Sequence, residues 1–389
     1  MRGDNLGRLC CTIQEAQSAN DKIEVIMNLK QLQVNVDKSI FLLLGNKSKV
    51  SEIRKYISNN PLLINGEVVK KKPNAKYLGE HIHSEGLEKT IEFTVQQRYW
   101  LTFSTIMEIK TILNDYRTNV HGGLNTGILL WEVSVLPMLL NNADTWNNID
   151  KNTLNKLEDL QRTFIRNLFS TPQSTPIPAL CWDTGLLPIK FRILEKQLNL
   201  LYHISKLDKS SLANEVFQIQ NQYKFPGLVT DMIPVLKRLG LPDILNNEDP
   251  CVSKHGFKIQ VKKAIREECE IELKEEIKEL KKLKSGPMPN ERFEKKAYVS
   301  NLLPINAKEL FKYRSRMFNV KFNYKNDKKH AEDLWKCDSC QTCIESQNHV
   351  LFCPSYSTLR EDKNLNCDED LSDYLKKVLI IRDKLNLTK

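Results

Sequence analysis

The spacing of apolar residues changes character near residue 87. Before that point short runs alternate between helix and strand patterns. Residues 12–32 place Ile13, Ala16, Ile23 and Met27 at helical spacing. Residues 40–44 are a short apolar run closed by Gly45 and predict a buried strand. Residues 48–58 predict a helix with Ser48 as N-cap and Val50, Ile53 and Ile57 on one face. The runs 62–64 and 67–69 flank Asn65-Gly66, the strongest short hairpin signal, and 75–81 predicts a further strand.

From Leu87 onward the helical period dominates. Helices are expected over 87–116, 124–140 and 154–169, then, after a loop holding Pro172, Pro176 and Pro178, over 188–207 and 212–223. Phe225-Pro226-Gly227 and Asp249-Pro250 mark breaks. Residues 258–284 hold nine basic and seven acidic side chains, yet Val261, Ile265, Cys269, Leu273, Ile277 and Leu280 keep an apolar stripe. That combination predicts a solvated helix with a narrow packing seam; the sharper alternative is a basic helix tracking a phosphate backbone, against which Glu267, Glu268, Glu275 and Glu276 argue. Ser285-Gly286-Pro287, followed by Met288-Pro289, predicts a linker. The expected fold class is α+β, predominantly α-helical.

Composition narrows the partners only a little. The 389 residues carry 58 Lys+Arg against 48 Asp+Glu, a net charge of +10, which mildly favours a polyanion. No apolar run approaches the length of a transmembrane helix, so no membrane partner is expected. Met1-Arg2-Gly3-Asp4-Asn5 has no apolar core of a signal peptide, so an intracellular protein is expected.

The ten cysteines change the picture more, because five of them fall in the last 53 residues. Without a secretory route, a metal site is the better reading than a disulfide framework. Cys337-x-x-Cys340 offers two thiolates from one tight turn, and His349 and Cys353 sit at i and i+4, so one helical turn presents both. Cys337, Cys340, His349 and Cys353 then form a closed four-ligand set for a structural Zn²⁺. Cys340-x-x-Cys343 is also a chelating pair and stands as the alternative. Around the cluster, Lys321, Lys325, Lys328, Lys329 and His330 add positive charge, and Tyr324, Trp335 and Tyr356 are aromatics that either stack on bases or pack around the metal.

Two N-terminal motifs remain. Leu32-Gln33-Val34-Asn35-Val36-Asp37-Lys38-Ser39 leads into the strand expected at Ile40, and Lys76-Tyr77-Leu78-Gly79 follows. In this order, after a helix, they resemble the late palm of a reverse transcriptase: Asn35-x-x-Lys38-Ser39 the motif before the late palm strand, Tyr77-Leu78-Gly79 the primer-grip hairpin. The helices beyond resemble a thumb, and the cysteine cluster the zinc knuckle of a non-LTR (LINE-like) retrotransposon polymerase. Gly122-Gly123, Leu130-Trp131-Glu132, Leu139-Leu140-Asn141-Asn142 with Trp146, Cys181-Trp182-Asp183-Thr184-Gly185 and Cys353-Pro354-Ser355-Tyr356 resemble one clade of these elements.

The resemblance implies a palm remnant over 1–86, a thumb-like bundle over 87–172, a helical connector over 173–288 and a C-terminal region over 289–389 with the knuckle at 335–354. It implies RNA and DNA as partners, met by Lys38, Lys70, Lys71, Lys72, Tyr77, Leu78 and Gly79. The family's Asp-Asp pair falls on Asp4-Asn5. Asp4 matches the first carboxylate, whereas Asn5 is a neutral and weaker ligand for Mg²⁺. Two-metal phosphoryl transfer needs carboxylates from two strands. The fingers and the other catalytic strand are expected to be missing, so Mg²⁺ would serve only an intact parent polymerase, and an upstream polymerase segment is a further possible partner. The chain alone is expected not to polymerise. Two rivals stand beside this expectation: an active polymerase completed by another chain, and a zinc-stapled helical interaction protein without a nucleic-acid role.

Overall fold

The computed structural model describes residues 8–45, 47–77, 79–115, 123–242, 244, 253–281, 283, 288–321 and 335–387. Helix makes up 66% and strand 5%, so the chain is a mainly helical α+β protein. It divides into two compact units, Met1–Trp100 with Asn141–Leu154, and Leu101–Leu140 with Asn155–Lys389. This division is coarser than the four segments expected from sequence, and its boundaries at Trp100 and Leu154 fall inside helices.

In the first unit, α1 (Ile13–Leu29) begins where Thr12 Oγ1 accepts a hydrogen bond from the Glu15 amide at 3.0 Å. A 3₁₀ turn (Val36–Lys38) leads to β1 (Ile40–Phe41), α2 (Lys47–Asn59), β2 (Leu63–Ile64), β3 (Glu67–Val68), β4 (Lys70–Lys71), β5 (Asn74–Tyr77) and β6 (Glu80–His83). Among the described residues these strands form three separate pairs: β1–β4 parallel, β2–β3 and β5–β6 antiparallel. The β2–β3 hairpin turns at Asn65 (φ 51°) and Gly66 (φ 76°), the left-handed pair that a two-residue hairpin demands. The Gln17 side chain holds β2 from α1: Leu63 N donates to its Oε1 at 2.8 Å, and its Nε2 donates to Leu63 O at 3.1 Å. Leu62, Ile64 and Val69 form the small core here, with Ile13, Ala16, Val34, Val36 and Phe41 packed against it.

Three local expectations need correction. The run 40–44 pairs only at Ile40 and Phe41, and both are half-buried rather than buried. Its partner β4 ends at Lys71, and the Lys72 amide still donates to Phe41 O at 3.1 Å; Asn74 then pairs with His83 instead. Ser48 lies within the first turn of α2 rather than at its cap, since the helix begins at Lys47. The single strand expected over 75–81 is the β5–β6 hairpin, in which Tyr77 faces Glu80 across the turn.

Helix α3 (Leu87–Asp115) follows. Thr94 Oγ1 and Thr90 Oγ1 on its first turns accept from the His81 and His83 amides at 3.1 and 2.8 Å, capping the outer edge of β6. The second unit continues with α4 (Gly123–Leu130), a π turn (Trp131–Val135), α5 (Leu136–Leu139), α6 (Lys151–Phe169), α7 (Ile177–Thr184), α8 (Ile189–Ser205), α9 (Leu212–Tyr223), α10 (Leu228–Arg238) and α11 (Lys254–Glu279). Then come α12 (Ala297–Asn301), α13 (Pro304–Arg314), α14 (Gln347–Phe352), α15 (Ser357–Arg360) and α16 (Asp368–Leu387).

Helix α11 carries the predicted packing seam. Phe257, Val261, Ile265, Cys269, Leu273 and Ile277 recur every fourth residue and all are buried. Each step of four overshoots a full turn by about 40°, so the seam winds around the helix and needs partners on more than one side. Helices α8 and α7 supply them, and Tyr202 stacks on Phe257 with ring centroids 4.4 Å apart. The helix begins earlier and ends earlier than the 258–284 expected, with Ser253 Oγ capping it through the Gly256 amide. Leu280 therefore leaves the seam: it is the extended C-cap and is exposed, while Leu283 is buried. Among the described residues no helix is long and apolar enough to cross a membrane.

Candidate metal centre

Residues 335–345 fold back on themselves. The Cys337 amide donates to Cys343 O at 2.8 Å, the Gln341 amide to Cys337 O at 2.8 Å, and the Glu345 amide to Trp335 O at 2.8 Å. This tight loop presents Cys337 and Cys340. Ser346 then caps α14, its Oγ accepting from the His349 amide at 3.0 Å. His349 thus sits in the first turn of α14 and Cys353 directly follows its last residue, the i, i+4 pair expected from spacing.

The donor atoms of Cys337, Cys340, His349 and Cys353 all lie within 4.8 Å of one another. Cys337 Sγ is 3.8 Å from Cys353 Sγ, and Cys340 Sγ is 3.4 Å from His349 Nε2. A tetrahedral ion with metal–sulfur bonds of about 2.3 Å separates two sulfurs by about 3.8 Å, and a sulfur from an imidazole nitrogen by about 3.5 Å. The four residues therefore fit a closed, four-coordinate metal site with no position left for a substrate. Cys343 is exposed and stands outside the set; its contribution is the carbonyl that receives the Cys337 amide.

The thiols differ. Desolvation pushes the Cys340 thiol up, but hydrogen bonds from the Thr342 hydroxyl, the Thr342 and Cys343 amides and Cys353 outweigh it and bring it down to about 6. Burial, together with the charge of Cys337, pushes Cys353 up to about 12. A bound cation would reverse that preference by favouring thiolate throughout.

The surroundings tie the site to α16. Val350, Cys353, Tyr356, Tyr374, Leu375 and Val378 share one core with Phe318 and Val320. Tyr374 Oη donates to Val350 O at 2.5 Å, Arg360 Nη1 to Cys353 O at 2.9 Å, and Ser355 Oγ to Ser339 O at 3.0 Å. Glu345, 1% exposed, pairs with Arg382 at 2.7 Å. Tyr356 is buried, its hydroxyl 2.6 Å from Ser339 Oγ, so it packs beneath the metal loop and is closed to base stacking. Trp335 is half-buried, and Lys321 is neutralised by Asp338 at 2.9 Å. Tyr324, Lys325, Lys328, Lys329 and His330 lie outside the described residues, as do Asp4 and Leu78.

The other sequence-named residues fall into three places. Asn35 Oδ1 accepts from the Lys38 amide at 3.0 Å and Ser39 Oγ donates to Asn35 O at 2.9 Å, so Asn35-x-x-Lys38-Ser39 is a self-capped turn. The parallel register Ile40↔Lys70 brings Lys70–Lys72 beside it; Lys70 is matched by Asp37 at 2.9 Å, while Lys38, Lys71 and Lys72 are exposed. Tyr77 and Gly79 belong to the β5–β6 turn. There Arg98 Nη2 donates to Gly79 O at 2.9 Å and Nη1 to Asn141 O at 2.5 Å, with the guanidinium over the Trp146 ring. Trp146 Nε1 in turn donates to Glu80 at 2.7 Å. Arg98 thus joins two motifs that sequence alone left separate. Its only signal was a cation inside the buried face of α3, between Val95 and Thr102.

Cys181-Trp182-Asp183-Thr184-Gly185 forms a third cluster. Asp183 is fully buried and accepts from Tyr298 Oη at 2.9 Å and from Arg314 Nε and Nη2 at 2.7 and 3.1 Å. Arg314 also meets Glu291 at 2.6 Å, and Lys296 meets Glu291 at 2.9 Å. Burial by itself would lower the Arg314 pKa, but Asp183, Glu291 and Tyr298 together outweigh it, so the guanidinium stays charged; Tyr298 is driven up by burial and by Asp183. Cys181 and Cys269 are buried thiols raised mainly by desolvation, Cys269 to about 12, and so are poor nucleophiles. This motif is a clamp between α7, α12 and α13, and neither Tyr298 nor Arg314 was marked by any motif.

No protein-family model matches the chain, and no curated protein or solved structure is detectably similar to it.

Proposed function

We propose that this chain carries the end of the palm, the thumb, the connector and the zinc knuckle of a non-LTR retrotransposon reverse transcriptase. On its own this stretch binds nucleic acid weakly at best and does not polymerise. The observation that carries the reading is the candidate metal cluster: the donor atoms of Cys337, Cys340, His349 and Cys353 lie within 4.8 Å of one another at the end of an ordered series of motifs. The self-capped turn at Asn35–Ser39 and the hairpin at Tyr77 and Gly79 are the local forms that the two palm motifs would take.

Three thiolates and an imidazole at those distances favour zinc over harder ions. Zinc there would staple the loop 337–343 to α14 and do no chemistry. Lys38, Lys71 and Lys72 are exposed cations available to phosphates, whereas Lys70 is already paired with Asp37. In the parent enzyme RNA would be copied at a nicked DNA target with Mg²⁺; here Asn5 stands where a second carboxylate would be.

Two measurements test this. Primer extension on an RNA template with Mg²⁺ or Mn²⁺ is expected to give no product; incorporation abolished by Asp4→Ala would overturn the inactivity. Fluorescence anisotropy with labelled RNA and DNA is expected to show binding that weakens steeply with salt, because phosphate contacts release counterions. A metal-loaded chain that binds neither would favour the zinc-stapled interaction protein instead.

A further inference from the structure

A polar cavity of about 280 Å³ opens within the second unit, away from the metal centre. Its walls come from the π turn, the loop after α7, and helices α8 and α11, with Lys295 at the rim. Six charged side chains line it: Arg192, Lys262, Arg266, Lys295, Glu132 and Glu195. Arg192 is matched, meeting Glu132 at 2.8 Å and Glu195 at 3.7 Å. The other three cations meet no carboxylate at salt-bridge distance among the described residues. Lys295 donates to the neutral amide of Asn125, and Arg266 lies over the Phe293 ring at 5.2 Å.

Charge matching on α11 is incomplete: Lys263–Glu267 and Glu270–Lys274 pair at i, i+4, whereas Lys262 and Arg266, also i, i+4, are of like charge and repel each other. An anion between them removes that repulsion. Backbone geometry holds the opposite wall. Gly185 closes α7 at φ +66°, and a Cβ there would lie 2.5 Å from Lys295 N, so only glycine lets the Lys295 segment approach. The Lys296 amide then donates to Asp183 O at 3.0 Å. Across the cavity the π turn carries Glu132, which orients Arg192; such turns recur at functional sites.

We infer that this cavity binds a phosphate group, with Lys262, Arg266 and Lys295 as its cationic ligands. Its size admits a phosphate group together with a shell of water. The group arrives either as a phosphodiester of an RNA strand or as free pyrophosphate. The cavity argument stands by itself; only the choice of RNA as a probe rests on the proposed function.

The test uses the full chain with Lys262→Ala/Arg266→Ala, both exposed side chains, and Lys262→Arg as the charge-preserving control. Melting followed by circular dichroism checks that each variant folds. Pyrophosphate binding is read by calorimetry and single-stranded RNA binding by anisotropy over a salt series. The double variant is expected to weaken pyrophosphate binding roughly tenfold or more, and Lys262→Arg to retain it. If RNA is the source, RNA affinity also falls and its salt slope drops by about 2, one for each cation removed. Loss of pyrophosphate binding with RNA binding unchanged assigns the site to the free anion. Pyrophosphate that fails to bind, or binds the double variant as well as the unaltered chain, overturns the proposal, whatever RNA does. RNA that fails to bind while pyrophosphate depends on Lys262 overturns the polymerase reading alone.

Discussion

Ile40–Phe41 and the α11 seam handle apolar residues in opposite ways. The strand must borrow its hydrogen bonds from a distant segment, and Lys70–Lys71 supplies only two paired residues before Asn74 turns to pair with His83. The helix satisfies its own backbone, so each residue of the seam needs only side-chain neighbours, which α7 and α8 provide. Among the described residues the first unit accordingly holds only three two-stranded pairs, and isolated pairs are marginal in water. The second unit adds a buried ionic clamp at Asp183. A continuous core and a satisfied backbone, rather than apolar content alone, separate a persistent region from a frail one.

The largest effect should come from the region that belongs to neither pattern, the metal loop. Structural zinc supplies on the order of 10 kcal/mol or more of apparent binding free energy to small modules. Cys353→Ser is expected to lose the metal and open residues 335–360 to protease, with the far-ultraviolet melt of the α11 bundle retained. Cys343→Ser should keep stoichiometric metal by elemental analysis. The reverse pattern would move the ligand set to Cys340 and Cys343.

Next in size is the clamp. Asp183→Ala leaves Tyr298 buried without its acceptor and Arg314 held by Glu291 alone, and breaking a buried pair costs about 3–5 kcal/mol. Thermal unfolding should show a large drop. Asp37→Ala, which breaks the exposed pair with Lys70, should leave the melt unchanged. Equal losses at both sites would erase the contrast between the units.

Ile265→Ala in the α11 seam should cost about 2–5 kcal/mol by leaving a cavity. Hydrogen exchange sharpens the same point without mutation. Amides of Ile40, Phe41, Lys70 and Lys71 should exchange rapidly, and those of 257–277 slowly. Equal protection would show that the short pairs have stability beyond their ladders.

The smallest effect expected is a pH slope from Glu158. Burial raises its pKa, against the Lys190 and Ile189 amides and the charges of Arg162 and Lys190. A carboxyl with a raised folded pKa binds its proton more tightly in the folded than in the unfolded chain. Its contribution is therefore complete below about 4.5 and is lost as pH rises through the raised value. Glu158→Gln should flatten the stability curve in that window, read by denaturant midpoints at several pH values.

Local chemistry made much of the molecule legible in advance. The Asn65-Gly66 hairpin follows from left-handed tolerance at two adjacent residues, and the helices follow from their period. The four-residue cluster that could hold a metal follows from a Cys-x-x-Cys turn and an i, i+4 pair, because each pair is fixed by a few bonds of its own backbone. What spacing could not decide was between Cys337 and Cys343, since both chelate equally well on paper; the Cys337 amide bonding to Cys343 O turns one inward and leaves the other exposed. The parallel pairing of β1 with β4 and the burial of Tyr356 were decided by partners further along the chain. So were the Arg98 bridge and the Asp183 clamp, whose members stand 43 and up to 131 residues apart. Long-range polar networks leave no periodic trace in sequence, because a charge is buried only where its distant counterpart arrives.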